Sequence, residues 1–96
     1  MMLFEWDDAK AEANLKKHGV SFPDATLVFD DPGLQVAVDQ VVDGEQRWQA
    51  TGSARGEAVL LVVHTVIGND EDERIRIISA RRATRREIRR YQGTLS

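Results

Sequence analysis

Residues Ala58 to Val63 form the longest unbroken apolar run in the chain, and they are apolar on both parities of an extended backbone. That pattern fits a central strand covered on both faces, so the chain must build a sheet around it. The neighbouring segments alternate instead. Leu34, Val36 and Val38 alternate with Gln35, Ala37 and Asp39, which reads as a strand half-buried on one face. From Arg47 to Gly52, Trp48 and Ala50 point one way and Arg47, Gln49 and Thr51 the other. From Arg74 to Ala80, Ile75 and Ile77 lie opposite Arg74 and Arg76. Asp43-Gly44 is a hairpin-turn pair, and Ile67 to Glu73 reads as an acidic exposed loop.

Helix signals flank this block. Leu3 to Trp6 suits a short strand, and Asp7 then caps a helix running to about His18, where Gly19 supplies a left-handed stop. Ala11, Leu15 and His18 share one face of it at helical spacing, with Asn14 beside them. Lys16, Lys17 and His18 occupy the last turn, where the helix dipole favours positive charge. Ser21 and Asp24, with Pro23 between them, mark a second, short helix that carries Phe22, Ala25, Leu27, Val28 and Phe29 and ends before Asp30 to Gly33. Thr84 and Glu87 form a capping box opening a terminal helix with Ile88 and Tyr91 on its apolar stripe. The expected order is β-α-α-β-β-β-β-α, an α+β domain with an antiparallel sheet packed against helices.

At 96 residues the whole chain, 1–96, is expected to be one domain. It has no cysteine, so disulfides and thiolate metal sites are excluded, which fits a reducing, cytoplasmic setting. Its apolar run is far short of the roughly 20 residues that cross a bilayer. The first residues turn acidic at once, without the basic start of a signal peptide. No membrane association is expected.

The formal charge of −3 hides an asymmetry. Residues 1–50 carry ten acids and four bases, while residues 51–96 carry six acids and nine bases. From Arg74 to Arg90 there are eight Arg, no Lys and one Glu. A guanidinium is a planar fork of donors that pairs bidentately with phosphate or carboxylate, so this choice of residue points to a polyanion. A solvated helix face is the alternative, but the segment begins on a strand.

Few chemistries fit the remaining residues. His18 and His64 lie in no HxxxH or HExxH arrangement, and Asp70 to Glu73 lack calcium-loop spacing, so no metal and no cofactor is expected. Nucleotide-binding glycine loops and a GxSxG elbow are absent as well. Metal-free RNA cleavage needs a base for the 2′-hydroxyl, cations for the phosphorane and an acid for the leaving 5′-oxygen. Arg47, Arg74, Arg76, Arg81 and Arg82 are candidates for the cationic part. His18 is the most obvious group titrating near neutrality, with Glu5, Lys17, Glu87 and Tyr91 behind it. His18 also fits a plain helix-ending residue, His64 a satisfied sheet-end histidine and Tyr91 a core residue.

Phe4-Glu-Trp-Asp7, Lys10, Asn14 and Lys17-His-Gly-Val-Ser-Phe22, followed by Arg76-Ile-Ile-Ser-Ala-Arg-Arg-Ala-Thr-Arg-Arg-Glu87 and Tyr91, together resemble the BrnT toxin family. The resemblance covers nearly the whole chain. It implies a RelE-like fold and the ribonuclease toxin of a type II toxin–antitoxin pair. It further implies a BrnA-like antitoxin whose ribbon-helix-helix domain binds operator DNA, so that the toxin meets the operator only through that complex. Carried over by position, the family's KHG motif falls on Lys17 and His18, the arginine of its ISAR motif on Arg81, and the arginine before its mid-sheet tryptophan on Arg47. With Arg76 these are the expected catalytic residues; Arg74, Arg82, Arg85 and Arg86 would extend the RNA-binding surface. A non-enzymatic module that docks nucleic acid or an acidic protein through the arginine segment is the competing reading.

Overall fold

The breaks fall where local chemistry places them. The Asp7 carboxylate accepts the Lys10 N–H at 3.0 Å and starts helix α1 (Asp8–His18). Gly19 ends it at φ 71°, a conformation that costs a glycine little. The Ser21 hydroxyl accepts the Asp24 N–H and starts α2 (Phe22–Thr26), which tightens into a 3-10 turn over Leu27–Asp30. The computed structural model describes residues 2–95 and gives the expected order of elements. Strands β1 (Leu3–Glu5), β2 (Gln35–Val42), β3 (Glu45–Ala54), β4 (Ala58–Ile67) and β5 (Arg74–Arg82) form one sheet, and α3 (Arg85–Leu95) closes the chain.

The sheet runs β1-β5-β4-β3-β2 and is antiparallel except for the parallel pair β1–β5. As its two-sided apolar pattern requires, β4 lies in the middle, with Leu60, Leu61 and Val62 all buried. Phe22, Ala25 and Val28 pack against Ala50, Leu60, Val62, Ile77 and Ala80 to form the core on one face. There the 3-10 turn comes so close to β3 that a side chain at Gly52 would stand 3.0 Å from the Val28 carbonyl oxygen.

Two expectations about burial are corrected. Leu15 is exposed, and Asn14 is the buried residue of α1. Pairing with β1 stops at Glu5 and Arg76, so the later edge of β5 has no strand partner. The Asn14 amide stands in for one: it donates to the Ala80 carbonyl at 2.8 Å and accepts the Ala80 N–H at 3.1 Å, while donating also to the Val20 carbonyl. Val36 and Val38 are likewise exposed, because β2 is the far edge strand and the buried core lies over β3, β4 and β5.

A third departure decides what the sheet can do. Ile77 pairs with His64 and Ser79 with Val63, leaving Ile78 as an extra residue in β5. This bulge reverses the alternation, so Ile77 and Ala80 both face the helices. It also brings Arg76 and Arg81, which a regular strand would send to opposite faces, onto the same one.

Candidate nucleic-acid interface

The face opposite the α1–α2 core collects the polar side chains of four strands. Arg81 lies opposite Leu61 and Arg76 opposite Thr65, both on that face of β4. Arg74 follows Arg76 in alternation, and Arg47 follows Trp48, which pairs with His64, so it sits beside Thr65. Gln49, Thr51, Val63 and Ser79 form the floor between them. The Arg81 row and the Arg47–Arg76 row are four residues apart on β4, or roughly 13 Å.

Most of these guanidiniums meet a carboxylate of the chain itself. Arg81 grips Glu87 with both terminal nitrogens, at 2.8 and 3.0 Å. Glu87 also accepts the Thr84 N–H at 2.8 Å, and its own N–H reaches the Thr84 hydroxyl, completing the capping box read from the sequence. The Arg81 guanidinium holds the Glu87 carboxyl down at about 2, and Glu87 in turn raises Arg81. At the other row, Glu5 accepts from Arg74 at 2.8 Å and from Arg76 at 2.9 and 3.1 Å. Those two hydrogen-bonded arginines, Arg74 foremost, lower the Glu5 carboxyl below its ordinary range. Arg47 differs: its Nε is buried without a hydrogen-bond partner among the described residues.

Helix α3 crosses one end of this face. Its Tyr91 hydroxyl donates to Asp31, and Gln35 donates to the Tyr91 carbonyl at 3.0 Å. Asp31 also accepts the Ser53 N–H at 2.7 Å and the Gly33 N–H at 2.8 Å. Burial pushes the Asp31 carboxyl up, but these three donors outweigh it and leave it lowered. The same bond raises the Tyr91 hydroxyl, so Tyr91 anchors the helix as an uncharged donor. This anchor was not legible beforehand, since Asp31 and Tyr91 lie 60 residues apart.

The predicted residues therefore divide. Arg47, Arg74, Arg76 and Arg81 come together on the open face. Arg82 opposes Leu60 and turns to the helix side, where it lines a cavity of about 150 Å³ with Gly19, Arg55 and Glu57. Lys17 and His18, exposed in the last turn of α1, sit immediately before that Gly19, at the end of the sheet where β5 finishes. Arg85 and Arg86 are exposed in the first turn of α3. His64 is buried at 3% exposure against the edge of Phe29, and burial lowers its pKa. No group of three or more His, Asp or Glu side chains among the described residues is placed to hold a metal ion. No helix among them is long and apolar enough to cross a membrane.

Comparison with known proteins places this geometry. Residues 6–87 match the family model described as the ribonuclease toxin BrnT of type II toxin–antitoxin systems. The structure is similar to the crystal structure of the Brucella abortus ribonuclease toxin BrnT, with a TM-score of 0.67 and 25% sequence identity over 88% of this chain and 100% of that one. A search of curated proteins gave no match. The chain belongs to the BrnT family of ribonuclease toxins of type II toxin–antitoxin systems.

Proposed function

We propose that this toxin cuts RNA on the arginine-bearing face of its sheet, without a metal ion, and so inhibits translation and growth. The observation that carries the reading is the convergence of Arg47, Arg74, Arg76 and Arg81 on one open face. Arg81 and the Arg47–Arg76 row act as clamps at two points along a strand, and their charge stabilises the phosphorane as it forms. The partnerless Nε of Arg47 supports this, since a buried donor without an acceptor suits a site that receives an anion. The Lys17–His18 turn moves the protons: one from the attacking 2′-hydroxyl, one to the leaving 5′-oxygen. Its support is position at the end of the sheet where β5 finishes. Arg82, which lines the cavity beside that turn, faces the helix side and Arg81 the arginine face, so the substrate would wrap that end to meet both. Arg82, Arg85 and Arg86 extend the basic surface for flanking phosphates.

The test incubates antitoxin-free protein with labelled RNA in EDTA. Cleavage leaving 2′,3′-cyclic phosphate ends is expected, with Arg81→Ala reducing the rate by about a hundredfold or more. Tight binding without cutting, on free RNA and with translating ribosomes present, would overturn the reading in favour of a non-enzymatic binding module.

A type II toxin has a cognate antitoxin. We propose one of the BrnA type, whose ribbon-helix-helix domain carries the complex to operator DNA in the cytoplasm. It places Asp or Glu side chains over α3, because carboxylate and phosphate compete for the same forks. Charge reversal at Arg85, Arg89 and Arg90 should weaken the complex; unchanged affinity would show that inhibition acts from another surface.

A further inference from the structure

We infer that Glu87 is a displaceable internal competitor of the substrate phosphate: it fills the Arg81 fork in the resting protein and sets how tightly that fork takes RNA. The inference rests on the arginine face being the RNA site and adds a residue to it.

The geometry is that of substitution. Both Glu87 oxygens lie against both terminal nitrogens of Arg81, the parallel arrangement a phosphate would adopt, so the two anions cannot hold these donors together. Breaking the pair is within reach of a substrate, because the Arg81 and Glu87 side chains are 37% and 22% exposed and water screens them. Glu87 does not leave when Arg81 does. The Thr84 N–H still holds one of its oxygens, so the carboxylate waits beside the fork and recaptures it after product departs. Glu87 is also the only acid between Arg74 and Arg90. Glu5 repeats the arrangement on the other row, where one carboxylate serves Arg74 and Arg76 together. The Nε of Arg47 has no hydrogen-bond partner among the described residues, so the two rows differ in one donor that no carboxylate holds.

The test measures binding rather than turnover, so that it stands apart from the ribonuclease reading. A short RNA, fully 2′-O-methylated and therefore uncleavable, is titrated into wild type, Glu87→Gln, Arg81→Gln and the double variant. Gln is accepted at this capping-box position, so Glu87→Gln removes the charge and keeps the Thr84 contact. Glu87→Gln should bind about two- to fivefold tighter, the scale of a partly exposed ion pair released from competition. Its logarithmic salt slope should stay close to that of wild type, because Arg81 meets the phosphate in both complexes and only the work of displacing Glu87 differs. The gain should vanish in the Arg81→Gln background, because the competition needs the fork. Glu5→Gln should give a separate gain on the same probe.

Three outcomes would overturn the inference. One is unchanged or weaker binding by Glu87→Gln with its thermal transition intact. Another is a gain that survives in Arg81→Gln, which would assign it to bulk charge. The third is tighter binding with a salt slope steeper by roughly 0.7, one added phosphate contact, which would mean that wild type never yields the fork to RNA. Failure of the ribonuclease reading shows itself differently, as absent cleavage of unmodified RNA by wild type whatever the titrations give.

Discussion

The two faces of this sheet are built from the same five strands and obey different rules. On the helix face, Ala50, Leu60, Val62, Ile77 and Ala80 close against Phe22, Ala25 and Val28, and the stabilisation comes from apolar area removed from water. On the other face, Arg47, Arg74, Arg76 and Arg81 line an open floor and most of them rest on carboxylates. The helix face is specified by how much apolar surface it gathers, whichever residues supply it. The arginine face is specified by which individual side chains meet. The first should therefore govern stability and the second RNA handling, with little crossing between them.

Phe22→Ala puts the largest load on that separation. Phe22 is fully buried and meets the edge of Trp6 at 6.0 Å between ring centres. Its truncation should cost about 3–5 kcal/mol of unfolding free energy in urea titrations. RNA affinity per folded molecule should stay put. A loss of affinity larger than the unfolded fraction explains would break the comparison and couple the faces.

Asn14→Ala probes the seam where they meet. Three hydrogen bonds from one side chain to the Ala80 and Val20 backbones disappear, leaving Ala80 without its edge partner. A loss of about 2–3 kcal/mol follows. Asn14→Asp keeps the shape but points a carboxylate at two carbonyls, and it should be at least as damaging in the same urea titration. If Asn14→Asp melted like wild type, Asn14 would be filling space rather than closing the sheet edge.

The same contrast explains what could be read in advance. Periodicity is a local signal, and it located all five strands, three helices and their caps, because burial by area needs only a pattern of apolar residues. It also placed Trp48 and Ala50 opposite Arg47 and Gln49, as the β3–β4 register shows. It overburied Val36, Val38 and Leu15, since a pattern does not say whether anything covers it. The polar face needed information that no window holds. The extra residue Ile78 shows in no alternation, yet it decides that Arg76 and Arg81 share a face. Glu5 meets Arg76 across 71 residues, and nothing near Glu5 marks it as that partner. The family motif pointed to Arg81 and Arg47 by position, but the carboxylate that holds Arg81 came into view only with the geometry.

Acid separates the two faces by pH window, with smaller energies. Burial lowers His64 beneath its ordinary 6.5, so the folded helix face holds it neutral while the unfolded chain would protonate it. Stability is then complete above 6.5 and falls as pH drops below it, by at most about 1.4 kcal/mol per pH unit until the folded histidine titrates. His64→Met should flatten the slope between pH 6.5 and 5 in urea midpoints; a slope that persisted would trace acid sensitivity to another group.

The arginine face responds later and less. Glu87 sits at about 2 in the folded protein against its ordinary 4.5, so its contribution is complete above 4.5 and lost as pH falls toward 2. Because Arg81 is 37% exposed, screening reduces this contribution to about 1 kcal/mol. Glu87→Gln should therefore remove a small part of the acid limb below pH 4.5 and leave the limb near pH 6 untouched. Loss of the upper limb in Glu87→Gln would mean that the arginine face reaches through the sheet to His64, and the separation of the two faces would fail at its weakest link.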